Sequence, residues 1–164
     1  MTVFREMRRK RQMLPNAESI AILNKATHGV LALSGDDGYP YAVPLSFVFY
    51  QQKIYFHCAI EGHKIDAIHR CDKASFCIVS QDEIVAERFT THYRSVIAFG
   101  KVTIVEDTEE KLKALRLLGE KYAPGDTSNL ESEINHGFNR VAVIRMDVEH
   151  MTGKESIELT RKRE

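Results

Sequence analysis

The segment Phe56-His57-Cys58-Ala59-Ile60-Glu61-Gly62-His63-Lys64 gathers two imidazoles, a thiol, a glycine and a lysine where the residue pattern turns from strand to helix. A helix beginning near Gly62 exposes unpaired backbone N–H groups at the positive end of its dipole. Gly62 permits close approach and Lys64 adds a full positive charge, so the junction suits a phosphate or another anion. It is not a G-x-x-x-x-G-K-S/T loop, and no dinucleotide fingerprint occurs in the chain. Taken alone, the same residues also describe a plain capped helix with a surface lysine, which is the commoner case.

Other chemistries find less support. His57 and His63 lie six apart, as do His63 and His69, and neither an H-E-x-x-H motif nor a close Cys/His quartet is present, so no metal site is expected. Cys58 and Cys77 sit in apolar strand text where small buried cysteines are common. Cys71 falls at the C-terminal end of a helix, the wrong end of the dipole to lower a thiol pKa. No G-x-S-x-G turn marks a serine hydrolase. Tyr41-Ala42-Val43-Pro44-Leu45-Ser46 reads as a core strand with an edge proline. Its functional reading is a wall for a flat ring, because Pro44 interrupts the hydrogen bonding and frees neighbouring backbone groups.

The elements that must position these residues follow from composition and periodicity. In 164 residues, 43% hydrophobic and 28% charged, one core is expected. Twenty-three basic side chains balance 23 acidic ones, which argues against nucleic acid or anionic lipid as a partner. Arg5 to Arg11 is basic but interrupted by Glu6 and followed by no apolar stretch, so it reads as a solvated lead-in. No apolar run reaches the length of a membrane span. Cys58, Cys71 and Cys77 match no zinc or disulfide framework, and reduced thiols in the cytoplasm are expected.

A first helix with Asn16 as N-cap should end near His28-Gly29. Val30–Leu33, a turn over Ser34–Gly38, Tyr39–Tyr50 broken at Pro44, a turn at Gln51–Lys53 and Ile54–Cys58 predict a three-stranded meander. Gly62–Cys71 is helical, with Ile65, Ile68 and His69 on one face. Lys73–Val79 and Arg94–Val105 are strands. Asp107-Thr108-Glu109-Glu110 caps a helix bearing Leu112, Leu115, Leu118 and Tyr122, which ends at Pro124-Gly125-Asp126. Thr127–Asn139 is polar without a predicted element, and Val141–Met146 is a last strand. About six antiparallel strands with peripheral helices make a mainly β, α+β barrel, expected as one domain over 16–154 between a lead-in (1–15) and a tail (155–164).

Gly38-Tyr-Pro-Tyr-Ala-Val-Pro-Leu-Ser46, Ile54-Tyr-Phe-His57 with Gly62-His-Lys64, Ser95-Val-Ile-Ala-Phe-Gly100 and His150-Met-Thr-Gly-Lys154 together resemble the FMN-binding split-barrel proteins of the pyridoxamine 5′-phosphate oxidase-like superfamily. Within it the likeness is to the 5-nitroimidazole-resistance proteins. The resemblance implies a six-stranded split barrel that forms a homodimer with FMN in grooves at the subunit interface. It places Val43, Pro44, Leu45 and Ser46 against the flavin ring and His57, Cys58 and Ala59 beside the cofactor. His63 and Lys64 fall where the oxidase branch has an Arg-Lys pair gripping the phosphate, and Ser95 where it has a ring-contacting glutamine. A histidine is fully charged only below its pKa, so His63 shifts the burden of phosphate binding to Lys64 and the helix start. No counterpart of the oxidase branch's C-terminal pyridoxal-binding motif is found, which argues against pyridoxamine phosphate oxidation.

The function so implied is reduction of small electron acceptors, 5-nitroimidazole or other nitroaromatic compounds, with NAD(P)H or another donor. His63 is the candidate proton donor and His57 its rival. A flavin- or haem-binding module without catalysis is the alternative of a different class.

Overall fold

The structure, a computed structural model, describes residues 3–164. The strands are β1 (Gly29–Ser34), β2 (Pro40–Leu45), β3 (Val48–Tyr50), β4 (Lys53–Ala59), β5 (Lys73–Val85), β6 (Thr90–Ile104) and β7 (Val141–Glu155). They form one antiparallel sheet in the order β2-β1-β5-β6-β7-β4-β3. Period-2 alternation gives the sheet two faces: Leu31, Phe76 and Ala98 are buried along one register row, while Val30, Cys77 and Ile97 beside them stand on the outer face. T-shaped ring packing of Phe76 against Phe47 and Phe56, with centroids 4.9 and 5.0 Å apart, centres the main core.

Seven strands replace the expected six because the run Tyr39–Tyr50 is two strands rather than one. Pro44 keeps its place in the ladder opposite Val30, which is tolerated because β2 is an edge strand with a single neighbour. The break falls at Ser46–Phe47, where the Phe47 side chain turns into the core and is fully buried. The chain crosses there from one edge of the sheet to the other, so the predicted meander is instead two hairpins, β1–β2 and β3–β4, at opposite edges. Gln51 and Gln52, both with positive φ, make the second turn.

The helices are α1 (Asn16–Lys25), α2 (His63–Arg70), α3 (Thr108–Tyr122), α4 (Thr127–Gly137) and α5 (Ile157–Arg163). Asn16 is the first helical residue of α1 rather than its cap; Pro15 holds that position, with no side-chain bond, and the helix stops at Lys25 instead of near Gly29. Asp107 caps α3 as expected, accepting the Glu110 N–H at 2.8 Å. On α2, Ala67 joins Ile65 and Ile68 in the core, and His69 is exposed. The polar stretch after Asp126 is the helix α4, whose Leu130 fills the space over Gly119. Residues 155–164 carry α5, with Leu159 and Thr160 buried. The long hairpin β5–β6 extends through 80–93, where no element was predicted, to a turn tipped by Phe89. At Gly100 the register shifts, and an added Cβ would lie 2.1 Å from the Asp147 carbonyl oxygen, so the close approach of β7 requires glycine.

Candidate functional site

Two strand edges lack a second neighbour where the barrel splits. β2 pairs only with β1, and β3 covers β4 only over Lys53–Tyr55, leaving His57–Ala59 without a partner on that side. Val43 and Leu45 from the first edge and Cys58 from the second are half-buried against the same core. Alternation turns Pro44 outward along with exposed Ser46, and His57 and Ala59 are exposed on β4.

The first turn of α2 joins the two edges. The His63 ring stacks on Tyr41 of β2, with centroids 4.0 Å apart and planes 23° apart. Half-buried Lys64 stands near Cys58 of β4: burial pushes the Cys58 thiol up, and the Lys64 ammonium pulls the other way. Gly62, at φ 124, leaves open space where a Cβ would stand. Its carbonyl takes the Asp66 N–H, and no side chain caps the helix, so the earlier N–H groups of the turn have no partner among the described residues. Asp36, in the β1–β2 turn, pairs with Arg70 at 2.6 Å and lies 3.7 Å from His63 Nε2, so that carboxylate is already paired, while Glu61 and Asp66 also flank this helix start.

Ser95 is not gathered with these residues. It stands on the outer face of β6 between Val79 of β5 and Lys154 of β7. Val79 shares that outer face with Cys77, two residues earlier on β5.

Three features escaped sequence reasoning. The end of α3 holds the crossover next to Ser46: the Tyr122 hydroxyl accepts the Phe47 N–H at 2.9 Å, and Lys121 Nζ donates to the Phe47 carbonyl at 2.9 Å. A cavity of about 590 Å³ opens between α1 and the β5–β6 hairpin, with Ile22, Lys25, Val79 and Arg94 in its lining. Fully buried Glu155 binds Arg94 at 3.1 Å and Arg163 at 2.8 Å. None carries a local motif; each joins residues distant in the chain. Cys71 departs from its helix-dipole expectation, because a hydrogen bond from the Lys73 backbone, followed by one from Ser34, lowers its pKa. Cys58 and Cys77 are half-buried rather than fully enclosed. Among the described residues no three His, Cys, Asp or Glu side chains converge on a metal position, and no helix is long and apolar enough to cross a membrane.

Comparison with known proteins gives this geometry a family. A search of curated proteins returned no match. Among solved structures, a provisionally described 5-nitroimidazole antibiotic resistance protein from Bacteroides thetaiotaomicron superposes with a TM-score of 0.72 at 24% identity, over 87% of this chain and 86% of that one. A flavocytochrome from Azotobacter vinelandii gives 0.80 at 18% identity, covering 92% and 72%. A FAD- and haem-binding protein from Mycobacterium smegmatis gives 0.76 at 18% identity, covering 89% and 74%. At these identities the three likenesses establish the split-barrel fold, and function has to be argued from the site. The sequence profile described as pyridoxamine 5′-phosphate oxidase matches residues 15–155, nearly the whole chain. The chain belongs to the pyridoxamine 5′-phosphate oxidase family.

Proposed function

We propose that this protein binds FMN along the split of its barrel and reduces small electron acceptors, with 5-nitroimidazoles and other nitroaromatic compounds as the substrate class and amines as products. The observation that carries this reading is the uncapped start of α2, with Lys64 in its first turn, set between the two unpaired edges of β2 and β4. Free N–H groups and an ammonium are the donor set a phosphate requires. The printed descriptions of a flavocytochrome and a FAD- and haem-binding protein among the structural relatives support a flavin as the group bound.

The flavin, when bound, supplies the transfer of a hydride between donor and acceptor. The chain's own residues do the rest. Lys64 and the α2 amides hold the phosphate; Val43, Pro44, Leu45 and Ser46 offer the ring an edge strand whose second side is free; His57, Cys58 and Ala59 border it from β4. His63, stacked on Tyr41, is the residue proposed to deliver a proton to the acceptor, with exposed His57 as the rival. Ser95 reaches such a ring only from the outer face, which fits a site completed between two copies. That face is apolar where Val30, Ile97 and Phe99 are each 38–39% exposed, and we propose it as the contact of a cytoplasmic homodimer.

The test is to purify the protein, record its absorbance, identify any released flavin by mass spectrometry, and follow NAD(P)H oxidation with a nitroimidazole. A flavin spectrum with steady turnover supports the reading. Bound flavin or haem without turnover from several reductants favours a carrier or sensor, and colourless protein that takes up no added FMN removes the flavoprotein reading.

A further inference from the structure

The cavity between α1 and the β5–β6 hairpin plays no part in the phosphate and edge-strand contacts above, yet its volume of about 590 Å³ is that of a small-molecule site. One wall is apolar: Ala21, Ile22 and Ala26 of α1 and its C-cap face Val79 across the groove. The lining also carries two cationic side chains. Lys25 is one and has no ion-pair partner among the described residues. Arg94 is the other, and its orientation is imposed from behind. Glu155 is fully buried, and a charge taken out of water needs ion-pair or hydrogen-bond partners for its oxygens. Arg94 Nε meets one oxygen at 3.1 Å and Arg163 Nε the other at 2.8 Å. That commitment leaves the two terminal nitrogens of Arg94 without a hydrogen-bond partner among the described residues, on a guanidinium that cannot easily turn away. Glu18, the one carboxylate in the lining, is near enough to Arg163 to interact with it.

We propose that this groove binds a small aromatic carboxylate, its ring against the apolar wall and its carboxylate on the free nitrogens of Arg94 with Lys25 beside it. A planar guanidinium with two adjacent free donors matches a carboxylate bidentately, whereas a neutral polar group would satisfy only part of it. Val79 belongs both to this groove and to the outer face, where it pairs with Ser95. If the Proposed function holds, and only then, the bound carboxylate is the acceptor substrate; the site itself rests on its own lining.

Isothermal titration of the full-length protein with 4-nitrobenzoate, and with 4-nitrobenzamide as the uncharged match in shape, tests the proposal with and without FMN. The carboxylate should bind at least about tenfold more tightly than the amide, the amount expected from charge-assisted hydrogen bonds. Arg94→Gln should erase that preference, and Ala21→Phe, which fills the groove from the exposed face of α1, should abolish binding of both. Where Arg94→Gln fails to fold because Glu155 is left half-paired, Lys25→Gln and Ala21→Phe decide, the former with a several-fold loss of the carboxylate alone. Equal affinity for the two probes, indifference to Ala21→Phe, or competitive displacement by FMN would overturn the proposal, the last because the groove would then be the flavin's own. Failure of FMN uptake with 4-nitrobenzoate binding retained removes the reductase reading and leaves this site standing; the converse removes the site alone.

Discussion

The Tyr122 hydroxyl accepts the backbone N–H of Phe47 at 2.9 Å, so the last residue of α3 holds the crossover that ends β2. The same hydroxyl donates to the Thr27 carbonyl, just before β1. One side chain thus ties both strands of the first hairpin to the helix. Tyr122→Phe leaves the Phe47 N–H without its acceptor and should cost about 1–2 kcal/mol in a urea titration. Flavin affinity should fall with it, because Ser46 adjoins the released segment; a variant with unchanged stability would show that water replaces the phenol.

Lys64→Ala should weaken FMN binding by about 1.5–3 kcal/mol, roughly ten- to more than a hundredfold, if the ammonium bonds the phosphate directly. Quenching of flavin fluorescence on titration measures it. Affinity equal to that of the unmodified protein would move the phosphate away from α2.

Lys121 makes stability depend on alkaline pH. Burial lowers its pKa from 10.5 to about 8, and the neutral amine still donates to the Phe47 carbonyl. Between those values the unfolded chain holds a proton that the folded chain has released, so stability should rise with pH across that window. Lys121→Met should flatten the rise when chemical denaturation is repeated from about pH 8 to about pH 10.5.

Glu110 gives the opposite dependence at acid pH. Burial raises its pKa, but the Tyr55 hydroxyl at 2.9 Å and the Arg145 guanidinium at 3.0 Å outweigh that, and the carboxyl lies below 4.5. Its contribution is present above the unfolded value and is lost as pH falls through the folded one. Glu110→Gln should therefore destabilise near neutrality, and the difference from the unmodified protein should shrink as pH falls below 4.5 and the folded carboxyl takes up its proton. A difference that does not change with acidification would assign the effect to shape rather than charge.

What the sequence determined by itself was local. The turn at Ser34–Gly38, the Asp107 cap, the leucine-spaced helix after it and the helix start at Gly62 are each written in residues a few positions apart, because hydrogen bonds within a turn and side chains on one helix face depend on near neighbours. The order of the four resembling segments added the family and the barrel. Tertiary structure alone decided that Tyr39–Tyr50 divides at Ser46–Phe47: Pro44 marks a weak point in the ladder, but the break comes where Phe47 finds a core and Tyr122, 75 positions later, finds its amide. It also decided that Ser95 stands on the outer face, apart from α2, and that Arg94 is aimed by Glu155, 61 positions away. Such contacts join residues whose separation in the chain carries no periodic signal, and their energy exists only once the strands between them have paired.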